Sequence, residues 1–342
     1  MSLISSAIRA VERAPLPDAA TRYGIDFLVG RTRRRLAGTP PADESGFVED
    51  MANHAIAEHA DAANEQHYEL PPEFFALTLG PRRKYSCCFY ATGRETLAEA
   101  EIAALERTVE HAALRDGQSI LELGCGWGSL TLFMAERFPA SRIVAVSNSA
   151  PQRLHIQAEA AARGLANIEV ITADMNAFEP RGGFDRVVSV EMFEHMSNWH
   201  GLLGRIRTWL APGGKLFVHV FSHRDSPYRF DHRNDADWIA QHFFTGGIMP
   251  SHGLIARFPD CFALERDWRW EGTHYARTAR DWLARFDANR EPIDAILRQV
   301  YGKDAMLWRR RWRMFYLATE GLFGHAGGTE WGVSHYLLRP TA

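Results

Sequence analysis

A doubly wound, mostly parallel α/β sheet is the fold class that this 342-residue chain predicts. Two observations predict it. Short β-branched runs alternate with amphipathic helical stretches between 119 and 221, and a glycine-rich turn follows the first run directly. SILEL (119–123) is the first strand, and LTLFMAERF (130–138) the helix after the turn. RIVAVS (142–147) is strand-like, and PQRLHIQAEAAARG (151–164) is helical with Gly164 as its stop. IEVITAD (168–174) and FDRVVSV (184–190) are two further strands, and HGLLGRIRTWL (200–210) is a helix. Pro212-Gly213-Gly214 then turns the chain into KLFVHVF (215–221). Alternation at this spacing implies right-handed crossovers. In such sheets ligands bind beyond the carboxyl ends of the strands.

Composition narrows the function. At 46% hydrophobic and 24% charged, the chain is neither disordered nor collagen-like. With 42 acidic against 39 basic residues, no global field draws it to nucleic acid. Cys87, Cys88, Cys125 and Cys261 form no C-x-x-C pair, so neither a disulfide framework nor a structural zinc is expected, and no metal is called for. A reduced, cytoplasmic protein is the simplest expectation. MSLISSAIRAVERAPLPDAA is too polar for a signal peptide, and no apolar run reaches the roughly 18 residues of a membrane helix.

Four zones are expected. Residues 1–60 form a helical extension broken by Pro15, Pro17 and Pro40-Pro41; its cluster Arg31, Arg33, Arg34, Arg35 reads as a solvated helix end, offset by nearby acids. Residues 61–116 form a flank that caps the site, and 117–223 the doubly wound core. Residues 224–342 form an aromatic-rich lid that also returns the last strands of the sheet. Seven of the ten tryptophans fall in the lid; most read as packing, a third or fewer as pocket walls.

ELGCGWGSL (122–130) places Gly124, Gly126 and Gly128 between strand and helix, where glycine lets the backbone approach a ligand. The spacing is G-x-G-x-G, not the G-x-G-x-x-G of dinucleotide sites. The next strand ends in neutral Ser147-Asn148, where a NAD site would want an acid. Asp174-Met175 and Glu191 end the third and fourth strands. A carboxylate there can accept from an adenine amino group, and a methionine can pack on the ring. The unit resembles the class I S-adenosylmethionine (SAM) methyltransferases, with Rossmann-like core and Glu122 among the acidic strand ends.

A more specific resemblance runs through KYSCCFY (84–90), LELGCGWGSL, VSNSAPQ (146–152), VEMFEHM (190–196), FVHVFSH (217–223), WIAQHFFTGGIMPS (238–251) and HYART (274–278). The ordered set resembles the cyclopropane fatty acid synthase superfamily, and within it the coclaurine N-methyltransferase branch, whose form FFTGGIMPS takes. The YGKD at 301–304 and the ending EWGVSHYLL at 330–338 point the same way. The similarity spans roughly 65–340 and leaves 1–60 largely outside. It implies SAM as cofactor and S-adenosylhomocysteine (SAH) as product. Tyr85, Ser86, Glu122, Gly124, Gly126, Asn148, Gln152, Asp174 and Met175 are the expected SAM contacts.

Methyl transfer to an amine needs the nitrogen's lone pair, and alkyl amines resemble lysine, with a pKa of about 10.4. A positioned base is therefore useful. Glu191, Glu194 and His195 share a face if VEMFEHM makes one helical turn. By resemblance, Glu194 and His195 bind and deprotonate the amine, while Glu191 serves SAM, substrate or both. Cys87, Glu194, His219 and Tyr275 match the positions with which the lipid synthases hold bicarbonate. Two readings follow. The first is N-methylation of a small amine; the second is methylation or cyclopropanation of unsaturated acyl chains, with bicarbonate as a further cofactor and the membrane surface as partner. A homodimer is compatible with either. The three lysines, against 39 − 3 = 36 arginines, suggest a GC-rich bacterial source.

Overall fold

The computed structural model describes residues 3–14, 16–37, 44–58, 70–234 and 237–341. Pro15 and Pro40-Pro41, expected to break the N-terminal helices, lie outside the described residues, as do 61–69 of the expected flank. The chain opens with helices α1 (Leu3–Arg13), α2 (Asp18–Ala37) and α3 (Glu44–Ala52). Helices α4 (Pro72–Thr78) and α5 (Leu97–His111) follow. The second starts at a reciprocal cap: Thr96 Oγ accepts from the Glu99 N–H while the Glu99 carboxylate accepts from the Thr96 N–H at 2.8 Å.

The sheet core is β1 (Ser119–Leu123), α6 (Ser129–Arg137), β2 (Arg142–Ser147), α7 (Ala150–Ala162), β3 (Ile168–Thr172), β4 (Phe184–Val190), α8 (Trp199–Trp209) and β5 (Leu210–His223). A two-stranded ribbon, β6 (Tyr228–Arg229) with β7 (Ile248–Met249), and the short helix α9 (Trp238–His242) come next. Then follow β8 (Phe262–Glu271), α10 (Gly272–Ala288), α11 (Arg290–Tyr301), α12 (Ala305–Gly324) and β9 (Trp331–Pro340). The seven strands lie in the order β3-β2-β1-β4-β5-β9-β8. Strands β1 to β5 pair in parallel, and β9 runs antiparallel between β5 and β8. The chain therefore reverses direction on either side of β1, and the crevice at that switch point is where a ligand belongs.

The inner strands are apolar on both faces, as a covered parallel sheet requires: Ile120, Leu121, Val187, Val188, Leu216, Phe217 and Val218 are fully buried. A second apolar cluster joins Phe74, Phe75, Trp282, Phe286, Trp312 and Tyr316, and ties α4 to the C-terminal helices. The N-terminal helices are bound to those same helices. Arg313 on α12 pairs with both Asp18 (2.8 Å) and Asp287 (2.7 Å), Arg22 pairs with Glu320, and Glu12 accepts from Trp238 Nε1 at 2.8 Å. The arginine cluster Arg31, Arg33, Arg34 and Arg35 lies exposed toward the end of α2. Arg33 reaches Glu330 at 2.8 Å, and Arg31 and Arg35 border a large cavity. Among the described residues, no helix is long and apolar enough to cross a membrane.

Candidate active site

The first cavity sits at the carboxyl ends of β1, β2 and β3. Gly124, Gly126 and Gly128 all have φ between 52° and 82°. Two are also sterically required: a Cβ on Gly124 would stand 2.6 Å from Met192 Cβ, and one on Gly128 2.6 Å from Ile156 Cγ1. A Cβ on Gly126 would meet only open space. Glu122 is buried beneath this loop and accepts from Thr131 Oγ at 2.6 Å, so it braces the turn as well as lining the cavity. Burial pushes its pKa up to about 8.

Tyr85, Ser86, Asn148, Gln152, Asp174 and Met175 line the same cavity with Glu122, Gly124 and Gly126, so all nine expected SAM contacts converge there. The wall offers unused polar groups. Gln152 Oε1 accepts from Ser147 Oγ at 2.6 Å, but its Nε2 has no partner among the described residues; nor do Trp127 Nε1 and Ser129 Oγ beside it. Buried polar atoms without partners are costly, so the lining fits a polar occupant of nucleoside size.

Glu191 is the hub of a hydrogen-bond network at the site. It follows β4 with φ 49°, a left-handed kink at a non-glycine residue. Its Oε1 accepts from the Cys87 N–H at 2.9 Å and lies 3.2 Å from His219 Nε2; its Oε2 accepts from the Tyr275 hydroxyl at 2.6 Å. Burial raises its pKa, and the nearby Lys84 ammonium opposes that rise. Lys84 is itself buried, with Nζ donating to Ser86 Oγ at 2.5 Å and to the Cys87 carbonyl at 2.6 Å. The expected bicarbonate set is thus corrected. Cys87, His219 and Tyr275 do converge, but on the Glu191 carboxylate, which fills their centre. Cys87 contributes its backbone N–H; its thiol points to the Cys88 carbonyl at 3.3 Å, and burial keeps it protonated.

The expected single helical turn is also corrected. Phe193–His195 form a short 3-10 turn, and the kink at Glu191 leaves that residue outside it. The three side chains part company. Glu194 is fully buried, accepts from the Phe221 N–H at 2.6 Å, and borders neither cavity. Burial and the adjacent Glu191 charge push its pKa well above the ordinary carboxylate value. His195 faces the cavities, its ring 4.5 Å from Phe244.

A second cavity, of about 680 Å³, lies against the first. Leu28 and Val29 of α2, Phe230, Trp238, Phe244, Trp282 and Phe315 contribute to its walls. Two lid tryptophans, Trp238 and Trp282, face it, and the other five do not. Tyr85, Glu191 and His195 border both cavities, so the two meet there. Sequence reasoning missed Lys84, Trp127 and the α2 wall. Lys84 carried a signal: it is one of three lysines in an arginine-rich chain, set within KYSCC.

Known proteins share this sequence pattern and fold. The family model described as "Mycolic acid cyclopropane synthetase" matches residues 56–323. (S)-coclaurine N-methyltransferase from Thalictrum flavum subsp. glaucum is 38% identical over 99% of this chain and 96% of its own. This similarity therefore includes residues 1–60, which the motifs had left out. A crystal structure of coclaurine N-methyltransferase with N-methylheliamine and SAH superposes with a TM-score of 0.92 at 33% identity, covering 99% of this chain and 100% of that one. The cyclopropane synthase MmaA2 from Mycobacterium tuberculosis shares the fold, with a TM-score of 0.67 at 21% identity over 84% of this chain and all of its own. The chain belongs to the mycolic acid cyclopropane synthetase family and is a SAM-dependent methyltransferase.

Proposed function

We propose that the chain N-methylates a small amine bearing aromatic rings, with Glu191 as proton acceptor and His195 beside it. One observation carries this: the Glu191 carboxylate stands where the cofactor cavity and the apolar chamber meet, fixed by three neighbours at 2.6–3.2 Å. An ammonium entering the chamber meets a carboxylate at its inner end, and aromatic faces such as Phe244 and Trp282 on the way. Bound SAM supplies an electrophilic methyl group. Glu191 takes the amine proton and exposes the lone pair, a role worth ~10²–10⁴-fold. Fixing the nitrogen at near-attack distance can contribute ~7–11 kcal/mol more. The described parts of the 61–116 flank and the 224–342 lid supply walls around the 117–223 core.

The acceptor class rests on the chamber's size and on the relatives. A volume of about 680 Å³ suits a drug-sized molecule, and the related coclaurine N-methyltransferase was crystallised with an N-methylated product-like amine. The acyl-lipid reading loses its bicarbonate, because a side chain already fills that place. The bacterial source suggested by the arginine bias is not supported, since the relative compared above at 38% identity is an enzyme of Thalictrum flavum subsp. glaucum. The test is methyl-labelled SAM with tetrahydroisoquinoline-type amines in one arm and unsaturated phospholipid vesicles in the other. Label is expected in the amines; label in the lipid alone overturns the proposal.

A further inference from the structure

Glu191 is the inner end of a row of three histidines, of which the scheme above uses only His219, as one of its neighbours. His219 Nε2 lies 3.2 Å from Glu191 Oε1, and His219 Nδ1 lies 2.8 Å from His335 Nε2. His335 Nδ1 lies 2.8 Å from His111 Nδ1. The fold builds this row deliberately across the sheet. His219 and His335 face each other in the β5–β9 register, so their rings leave the same face. His111 is the last residue of α5, which packs against β9. His219 and His335 are 1% and 0% exposed, and His111, at 6%, is the outer end. Trp270 packs on His219 and His335 with ring centres 5.5 and 4.3 Å away, and Trp268 stacks on His111 at 3.9 Å.

The chemistry of such a row allows few arrangements. A neutral imidazole carries one N–H and one lone pair. Each histidine–histidine contact joins two ring nitrogens and needs one proton, so all three rings must point the same way. Burial supports the neutral state: it holds His219 and His335 far below the ordinary imidazole pKa and brings His111 to about 4. An ionised Glu191 can only accept. It therefore requires Nε2–H on His219, Nε2–H on His335 and Nδ1–H on His111, all donating inward. The opposite polarity requires Glu191 to carry the proton itself.

We infer that His335 and His111 are positioning residues for the proton acceptor: they fix His219 as its Nε2–H tautomer, and His219 in turn holds Glu191 as an accepting carboxylate. This deepens the proposed function and rests on Glu191 being the acceptor. The logic is that of a base oriented by a third group, extended by one residue. The other groups facing Glu191 are Lys84 and the Cys87 N–H from the flank, Tyr275 from α10 and Glu194 from the turn after β4. Those facing His111 are Arg107 and Glu110 of its own helix and Arg266 of β8.

Two measurements test it. Long-range 1H–15N spectra of histidine-labelled full-length protein read each tautomer directly, with His111→Gln, His219→Gln and His335→Gln assigning the peaks. Protonated Nε2 on His219 and His335 with protonated Nδ1 on His111 is expected; the reverse tautomers overturn the inference. This arm needs no substrate, so it decides even if the amine reading fails. The second arm is kcat/KM for tetrahydroisoquinoline against pH. Losing the donor chain leaves Glu191 easier to protonate, so His335→Leu should move the acid limb up by about one pH unit. SAM affinity should stay within twofold, and His335→Gln, which keeps a donor and an acceptor, should return the limb toward its original place. A folded His335→Leu protein with an unmoved limb makes the row mere packing. Should that variant fail to fold, His111→Leu at the outer end carries the same expectation and the same refutation.

Discussion

The two cavities share Tyr85, Glu191 and His195 but are assembled in opposite ways. The cofactor cavity is made by short contiguous segments at strand ends: the glycine turn after β1, Ser147-Asn148 after β2, Asp174-Met175 after β3. Its recognition groups are backbone and small polar side chains held by the sheet. The chamber draws single side chains from α2, from 228–249, and from α10 and α12, residues up to about 300 positions apart. Its walls mix aromatic rings with charged side chains such as Arg31, Arg35, Arg229 and Asp237, and Glu191 stands at the boundary it shares with the cofactor cavity. A nucleoside common to many enzymes is met by geometry fixed at the sheet edge, whereas the chamber is walled by side chains gathered from distant helices.

That contrast breaks first at the shared wall. Glu191→Gln keeps the shape and removes the base, so kcat should fall ~10²–10⁴-fold while SAM binding, followed by calorimetry, changes little. A parallel loss of SAM affinity would assign Glu191 to the cofactor side. Gly128→Ala attacks the cofactor cavity alone. Its φ of 82° and the 2.6 Å approach to Ile156 strain any side chain, so SAM affinity should weaken ~10–100-fold, with amine KM unaffected in the residual activity. Phe244→Ala attacks the chamber alone. Removing the ring that packs on His195 and faces Phe221 and Phe230 should raise amine KM about tenfold, equivalent to ~1.4 kcal/mol, and leave SAM affinity in place.

The smallest effect is on stability. Glu122 has a folded pKa raised to about 8 from an ordinary 4.5. The folded state holds that proton more tightly, so the associated stability is present below about pH 4.5 and is lost as pH rises through about 8. In SAM-free protein, Glu122→Gln should flatten the fall in Tm over that window while still accepting from Thr131. An unchanged slope would mean that Glu122 titrates near its ordinary value.

The same contrast explains what could be read from the sequence. RIVAVS and FDRVVSV coincide with β2 and β4 because a strand buried on both faces is a local apolar run bounded by turns. Glu122, Gly124, Gly126, Asn148, Asp174 and Met175 of the cofactor cavity lie within three residues of the ends of β1, β2 and β3, whereas Tyr85, Ser86 and Gln152 were expected from the family resemblance alone. The Glu191–Glu194–His195 reading failed on one backbone angle: the left-handed φ at Glu191 ends the strand in a kink, and no residue type there signals it. The chamber was not legible, since ion pairs such as Arg313 with Asp18 bring α2 across from the far end of the chain. His219, taken as one of several site positions, gained its meaning only from the β5–β9 register opposite His335.

The three-residue boundary has a consequence for evolvability. Because donor and acceptor cavities are furnished by almost separate sets of residues, the acceptor can drift by substitutions in α2, the 228–249 segment and α12 without retuning the donor site. Lineages of this family can therefore trade substrates while conserving their reagent, and an engineer seeking a new amine would randomise the aromatic chamber and leave the glycine turn untouched.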